Sequence, residues 1–413
     1  GSLAEPTVRM VIGSLTMDSL IIGNNATYNA NGLDLILHGN FISDGDFVPG
    51  ENTTIMDAVG NQAIYGAATF YNFTRSNNGN LDIENDVCVD NIFDMSNGIF
   101  NDNDHTLTVK GNIHFGGTHS WGGSSQGIFL NGTSEQIMTG AGTYGLLTID
   151  NRSGVSIDPG SGSGISINDS LKLNDGIFDI DQYLLLIEEN AEITTSGTFD
   201  ANTMIQTNIS FTDAGIVKDF PAISSTKDYI FPVGSEGKYT PIAFSVDAVD
   251  AGGSIRLKAA NEMQPTINDD SDECDEFDDT QNVLHYHWIL ESTNINNFTA
   301  NATFTYYPSD ALFDNPHGYD LTDYIAARIL TYGDNTWNKY DETYVDEGNN
   351  QLVFDFVSTN DDGISGDYTA GIEQGPGCNG AIPNEVTEYI TLGSGDWNDA
   401  NNWATYDSET STT

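Results

Sequence analysis

Short runs in which every second residue is apolar dominate the first half of the chain. In Val87-Cys88-Val89 and Leu107-Thr108-Val109, one small or polar residue separates two aliphatic ones. Because successive side chains of a strand point to opposite faces, this period of two predicts half-buried β-strands. The other runs of this kind are Leu33/Leu35/Leu37, Leu81/Ile83, Leu147/Ile149, Val155/Ile157, Ile165/Ile167, Leu171/Leu173 and Leu184/Leu186.

Turn-forming pairs separate these runs. Asn-Gly, Asp-Gly, Gly-Gly and Ser-Gly recur along the chain, and these residues tolerate the positive φ angles of tight corners. Lys and Arg together number only 12, and no segment shows helical periodicity. The sequence therefore predicts an all-β protein in which short strands alternate with corners.

A longer repeat underlies the strands. Three short motifs recur in the same order, displaced by 72, 74 and 78 residues. They are Leu37–Phe41 with Val109–Ile113, Gly66–Phe70 with Gly140–Tyr144, and Asn97–Phe100 with Asp175–Phe178. This order predicts two repeats of about 75 residues, each containing several strands, between residues 15 and 200.

The repeats favour a parallel β-solenoid over residues 1–205, in which each turn covers the apolar face of the previous one. A Greek-key sandwich is the competing architecture for this part of the chain. Longer strand candidates follow, and they predict an antiparallel β-sandwich over residues 206–374. Residues 375–386 are rich in Gly and Pro and predict a linker, and residues 387–413 are interpreted as the start of a further repeat module.

The charge is strongly acidic. Asp and Glu number 61, and the formal net charge is −49. Such a charge repels nucleic acid and anionic membranes, so neither is expected as a partner. No apolar run approaches the roughly 20 residues that span a bilayer. We expect the chain to be a piece of a longer exported protein, because its first residues do not form a signal peptide.

Several short stretches share a recognisable pattern: Gln136–Gly140, Leu147–Asn151 followed by Gly154 and Val155, Tyr229–Gly234, Tyr239–Pro241, Gly366–Gly371 and Gly395–Trp403. These stretches resemble the β-strand-repeat surface proteins of Bacteroidota, which include gliding adhesins. The resemblance implies a non-catalytic, extracellular segment of a very large cell-surface protein that is exported by the type IX secretion system and serves adhesion or gliding motility. It also implies neighbouring modules, the export machinery and extracellular glycans or surfaces as partners.

An acidic run suggests the one cofactor that we expect, calcium. Asp269, Asp270, Asp272 and Asp275 offer the hard oxygen ligands that Ca²⁺ prefers, although the spacing matches no known calcium motif. A solvated acidic loop is the alternative. Cys274 and Cys378 bracket much of the expected sandwich, and in an oxidising compartment they could form a disulfide.

Other candidate groups have less support from the sequence. His285 and His287 alternate, so they are expected on one face of a strand, where a third ligand would complete a metal site. Trp121 and Trp337 could stack on sugar rings, and Cys88 is expected to face away from Val87 and Val89 as a free thiol. No catalytic motif is present, so we expect no enzyme. The alternative function is a secreted glycan-binding or glycan-cleaving protein.

Overall fold

The structure is a computed structural model that describes residues 7–9, 13–123, 125–158, 164–208, 213–250, 252–268, 282–311, 320–330, 337–340, 342–358, 363–373, 381–382, 388–391 and 403–406. These residues form strands, turns and short 3₁₀ segments, and none of them lies in an α-helix. The expected fold class is confirmed: a parallel β-solenoid of about nine turns is followed by antiparallel sheets.

The solenoid has three faces, which we name A, B and C in the order in which a turn visits them. Strands on each face pair in parallel with those of the turns before and after, except where noted below. The strands, numbered in chain order, are as follows.

Face A contains β2 (Leu15–Met17), β5 (Leu35–Leu37), β8 (Thr53–Met56), the second halves of β10 (Ala68–Arg75) and β12 (Val87–Met95), β15 (Ile113–Phe115), β18 (Gln136–Thr139), β20 (Val155–Ile157), β22 (Phe178–Asp181), β25 (Ile205–Thr207) and β28 (Val233–Ser235).

Face B contains β3 (Leu20–Ile22), β6 (Phe41–Ser43), β9 (Gln62–Tyr65), β11 (Leu81–Ile83), β13 (Ile99–Asn101), β16 (Thr118–Ser120), the first halves of β19 (Thr143–Asp150) and β21 (Gly164–Asp175), β23 (Leu184–Ile187) and β26 (Gly215–Phe220).

Face C begins with a three-stranded parallel sheet of β1 (Thr7–Arg9), β4 (Thr27–Asn29) and β7 (Asp46–Val48). It continues as a separate ladder through the first halves of β10 and β12, β14 (Leu107–Val109), β17 (Ile128–Leu130), the second halves of β19 and β21, and β24 (Glu192–Thr194).

The solenoid core consists of the inward-facing residue of every alternating pair. Val87 and Val89 are buried while Cys88 between them is half-buried, which confirms the expected outward direction of this thiol. Aromatic rings continue the core from turn to turn, because Phe73 stacks on Phe93 at 5.8 Å between ring centroids. Each turn therefore covers the apolar surface of its neighbour, as the period of two predicts.

One alternating run has the opposite phase to the one expected. In β23, Leu185 and Ile187 are fully buried, whereas Leu184 and Leu186 are only half-buried. Four consecutive apolar residues contain both phases, so the period of two does not decide which pair faces inward. The register does: Leu185 pairs with the buried Ile165 of the previous turn.

The internal repeat is rotated by one face in the structure. Leu37–Phe41 runs from face A to face B, whereas its counterpart Val109–Ile113 runs from face C to face A. The other two pairs of motifs show the same rotation. Equivalent residues are therefore separated by three turns and two further faces rather than by four whole turns.

The two copies nevertheless form the same corner. Gln62 and Gln136 are both buried, and each side-chain amide donates to two backbone carbonyls, at 3.0 and 2.5 Å. Each Oε1 accepts a backbone N–H, at 2.9 Å for Gln62 and 2.8 Å for Gln136. The partners are Leu37, Gly39 and Ala58 for Gln62, and Val109, Gly111 and Gly132 for Gln136.

Two antiparallel sheets follow. The first contains β26, β31 (Gly253–Ala260), β32 (His287–Thr293), β38 (Gly366–Ile372), β34 (Tyr324–Ile329) and β35 (Trp337–Lys339). The second contains β27 (Lys227–Phe231), β30 (Ile242–Ala248), β33 (Phe298–Thr305), β37 (Gln351–Ser358) and β36 (Val345–Asp346). Trp288 and Tyr368 of the first sheet pack on Phe304 of the second, at 5.4 and 5.2 Å between centroids, so the sheets form a sandwich.

The remaining elements are short. β29 (Lys238–Tyr239) forms a hairpin with β28, and β39 (Glu388–Thr391) pairs with β40 (Trp403–Tyr406). The 3₁₀ segments are Pro265–Asn268, Pro308–Asp310, Leu321–Asp323 and Glu342–Tyr344. Within the range expected to be a linker, the structure describes Ala381 and Ile382, which are buried, and Ile382 donates its backbone N–H to Ile372.

β26 joins the two parts of the fold. It pairs in parallel with β23 of the solenoid and antiparallel with β31 of the sandwich. The parallel ladder therefore reaches past residue 205, and its last pair on face A joins Gln206 to Gly234. Solenoid and sandwich share one continuous sheet.

We predict that both Gln62→Ala and Gln136→Ala lower stability, and that Gln136→Ala lowers it at least as much, because Gln136 Oε1 also accepts a hydrogen bond from Asn151 Nδ2 at 3.0 Å. Each change leaves one carbonyl, that of Gly39 or Gly111, and one backbone N–H without a partner, while the Leu37 and Val109 carbonyls keep a backbone donor. This should cost about 3 kcal/mol and lower the thermal midpoint by about 3 to 4 °C. Asn101→Ala, which removes one side-chain bond to Asp82 on the outer surface, is the control and should change the midpoint by about 2 °C or less. A loss in either glutamine variant no larger than that of the control, measured by calorimetry, would contradict the role of these corners.

Candidate functional site

The junction between solenoid and sandwich contains a buried cation. Lys218 of β26 is 2% exposed, and its Nζ donates to three backbone carbonyls of the last solenoid turn. The acceptors are Glu188 at 2.7 Å, Glu189 at 3.0 Å and Ala191 at 2.9 Å. Burial lowers the pKa of Lys218 to about 8. Nζ thus directs all three of its N–H groups at backbone carbonyls, of which that of Glu188 also accepts the backbone N–H of Ala191.

A small cavity of about 110 Å³ lies beside Lys218. Its wall includes Lys218, Lys227 and the ring of Tyr229, and both ammonium groups lie within 6 Å of the centre of that ring. Lys227 also contacts Glu192 at 3.4 Å. Both lysines have partners within the fold, so the contacts that line this cavity help to hold the junction together.

A larger and more open groove of about 410 Å³ lies at the same junction. Glu189 and Asp219 contribute carboxylates, and Ser254 and Thr293 contribute hydroxyl groups. Burial raises the pKa of Asp219; Lys218 opposes this shift, while Glu188 and Glu189 add to it. Oxygen groups of this kind can accept hydrogen bonds from a hydroxyl-rich ligand, so this groove is the candidate ligand site.

A buried polar network lies on the face of the first sheet that points away from the sandwich core. Asp367 is 5% exposed and accepts a hydrogen bond from Gln264 Nε2 at 3.1 Å. Burial raises the pKa of Asp367 to about 6. On the same face, His287 contacts the carbonyl of Glu262 through Nδ1 at 3.0 Å, and burial lowers its pKa to about 4.

A second buried pair lies inside the solenoid. His119 Nε2 and Asp102 Oδ2 are 3.0 Å apart, and neither side chain is exposed. Asp102 Oδ1 also accepts the N–H groups of Gly122 and Asp104, at 2.8 and 3.1 Å. Burial alone would raise the pKa of Asp102, but these bonds and the imidazole outweigh it and lower the pKa. The pair is sealed from solvent and joins two successive turns of the solenoid.

The residues expected to bind calcium or form a disulfide lie outside the described residues. They are Asp269, Asp270, Asp272 and Asp275 for calcium, and Cys274 and Cys378 for the disulfide. These expectations stay predictions. Among the residues that the structure does describe, no three His, Cys, Asp or Glu side chains come together as a metal-binding group.

The remaining candidates are placed in the structure. His287 is buried in β32, whereas His285 precedes the strand, is half-buried and donates its backbone N–H to Asp310. Trp337 is 3% exposed and offers no open ring face to a sugar, because it packs in a small apolar cluster. Trp121 is half-buried and donates its indole N–H to Gln126 at 3.0 Å. In the described part of the chain, no helix is long and apolar enough to cross a membrane.

Sequence reasoning missed the junction residues. Lys218, Asp219 and Glu189 carry no motif, and they meet only because β26 pairs with both parts of the fold. The one usable signal is Lys218 itself, because a cation is rare in this chain and this one lies within the run Ile216-Val217-Lys218-Asp219-Phe220. His119 and Asp102 are 17 positions apart and meet because they lie on successive turns.

We predict that Lys218→Met lowers the free energy of unfolding by about 3 kcal/mol, because three backbone carbonyls lose a charged donor and only that of Glu188 keeps a backbone N–H. Lys227→Met is the matched control, since its exposed pair with Glu192 should contribute at most about 1 kcal/mol. Chemical denaturation of both variants checks this. Similar losses in the two variants would show that Lys218 does not cap the last turn.

A second prediction concerns pH. Because the folded pKa of Asp367, about 6, lies above its ordinary value of 3.8, the folded state binds more protons between these values and its stability falls as pH rises through this range. Asp367→Asn removes this pH dependence. Between pH 4 and pH 7, the free energy of unfolding of the variant should therefore rise relative to that of the wild type by up to about 3 kcal/mol.

Denaturation at both pH values measures this difference, with the exposed Asp355→Asn as control. The control should differ from the wild type by no more than about 0.5 kcal/mol at either pH. If the difference between Asp367→Asn and the wild type does not change with pH, Asp367 does not titrate as described.

Comparison of the chain with protein families, with curated proteins and with solved structures finds no match in any of the three.

Proposed function

We propose that the chain is a non-catalytic structural and adhesive segment of a very large protein on a bacterial cell surface. The observation that carries this proposal is the continuity of the backbone ladder. Parallel pairing starts at β2, passes through β26 and continues as antiparallel pairing to β38, so solenoid and sandwich form one hydrogen-bonded unit. Such a unit suits a spacer that must keep its length under load.

The charge distribution supports the same role. The net charge is −49, yet among the basic residues whose burial the structure describes, four are buried: Arg75, Lys218, Lys258 and Arg328. Each donates to at least one backbone carbonyl. Removing these cations from the surface leaves the exterior more acidic, which favours solubility and keeps neighbouring rods apart.

The sequence resemblance to Bacteroidota surface proteins adds export by the type IX system and a role in adhesion or gliding to the proposal. The expected partners are neighbouring modules of the same protein, the export machinery, and glycans or surfaces outside the cell. The open groove at the junction suits an uncharged, hydroxyl-rich ligand, because two carboxylates, two hydroxyl groups and one amide line it.

The alternative is a stand-alone secreted protein that binds or cleaves glycans. The same groove favours it, since Asp219 combines a raised pKa with a nearby second carboxylate, that of Glu189. A raised pKa is what a general acid of glycan hydrolysis needs.

The test uses antibodies raised against the 413-residue chain and intact cells of the source organism. Protease added outside the cells should remove the antigen, and immunoblots of untreated cells should show a parent much longer than 413 residues. A cytoplasmic marker should survive in intact cells and be digested in lysed ones. An antigen that the protease cannot reach would contradict the surface location, and a parent of about this length would favour the glycan-active alternative.

A further inference from the structure

A lysine, an asparagine and an aspartate meet where the last solenoid hairpin contacts the sandwich. Lys238 lies in β29, Asn261 directly follows β31, and Asp310 ends the 3₁₀ segment after β33. Lys238 Nζ lies 2.6 Å from Asn261 Oδ1 and 2.5 Å from Asp310 Oδ1. The three side chains come from separate elements that only the folded state brings together.

The three groups differ in exposure: the side chain of Lys238 is 28% exposed, and Asn261 is half-buried. The side chain of Asp310 is 6% exposed, and its Oδ2 is buried without a hydrogen-bond partner among the described residues. Asn261 donates from Nδ2 to Glu236 Oε2 at 2.8 Å. The carboxylate of Asp310 therefore contacts the amine of Lys238, and the carboxylate of Glu236 contacts the amide nitrogen of Asn261.

This arrangement places a nucleophile beside a carboxamide carbon. A C=O bond is about 1.2 Å long, so Asn261 Cγ lies about 3 to 4 Å from Nζ, close to the separation from which a bond can form. Transfer of the ammonium proton to Asp310 would neutralise both partners and leave Nζ with a free electron pair. Deprotonation by an adjacent base is how a lysine amine is made reactive in proteins.

We propose that Lys238 and Asn261 become joined by an intramolecular isopeptide bond, with Asp310 as the base. Nζ gives one proton to Asp310 and attacks Cγ of Asn261, forming the Nζ–Cγ bond. The Cγ–Nδ2 bond breaks, the second Nζ proton passes to Nδ2 through the Glu236 carboxylate, and ammonia leaves. No group is oxidised or reduced, and no co-reactant is needed.

The bond would tie two parts of the fold that are otherwise held by weaker contacts. Lys238 belongs to the hairpin of β28 and β29 at the end of face A. Asn261 directly follows β31, the strand that pairs with β26. The covalent link closes a loop that contains β30 and β31, so it restricts the unfolded chain in the same way as a disulfide. Unlike a disulfide, the link does not depend on the redox state of the surroundings.

Intact-mass spectrometry of the purified 413-residue chain tests the proposal. The measured mass should be lower than the mass calculated from the sequence by one ammonia, about 17 Da, and tandem spectra should show the peptide of Lys238 linked to that of Asn261. A mass equal to the calculated one after prolonged incubation of the folded protein overturns the proposal. A loss of water with a Lys238–Asp310 link overturns the assignment of Asn261.

Two variants separate the bond from a simple ion pair. Lys238→Arg keeps the positive charge, and Asp310→Asn keeps the amine and the amide but removes the base; both should show the full calculated mass. Lys339→Arg is the matched control, because Lys339 contacts the carboxylate of Glu373 at 2.9 Å, and it should keep the loss of one ammonia. Circular dichroism confirms that each variant is folded. A loss of ammonia that persists in folded Asp310→Asn excludes Asp310 as the base.

Discussion

A stack of parallel strands has to end, and how this solenoid ends determines the rest of the structure. Its last turn would leave a row of backbone N–H and C=O groups unpaired, together with an apolar surface. On face B, β26 solves this problem, because it pairs in parallel with β23 and antiparallel with β31 of the sandwich. Lys218 on the same strand caps three carbonyls that the ladder does not reach. The sandwich thus also serves as the cap of the solenoid.

The same constraint explains where the buried cations lie. In a chain with a net charge of −49, one would expect Lys and Arg on the surface, paired with carboxylates. Instead, Arg75 donates to the carbonyls of Met56 and Gly60 at a solenoid corner, and Lys258 donates to that of Asp213. Unpaired backbone carbonyls at corners and ends are costlier than surface repulsion that salt can screen. Backbone satisfaction therefore determines the placement of these cations.

The strands of the solenoid could be predicted from the sequence, but the contacts between distant parts could not. Alternation finds Val87/Val89 or Leu107/Val109 because their inward direction is a local property, and it fails at Leu184/Leu186, where the register with Ile165 decides. Gln62 shows no local sign of its role, since its partner Leu37 lies one turn away. Lys218 and the groove beside it depend on β26, whose double pairing no periodicity encodes. The missed residues are those with long-range partners.

The rotated repeat indicates which part of the solenoid is under structural constraint. Inward positions keep their apolar character between copies, as in Leu37 and Val109, or Phe70 and Tyr144, although the copies lie on different faces. The exposed residue that follows Leu37 is His38, whereas the one that follows Val109 is Lys110. A ligand-binding surface on one face would be divided between two faces by such a rotation. The stacking of apolar residues and the hydrogen bonds at the corners are kept, because the three faces offer similar partners. Ligand contacts are therefore better sought at the junction, which occurs once in the described fold, than along the solenoid.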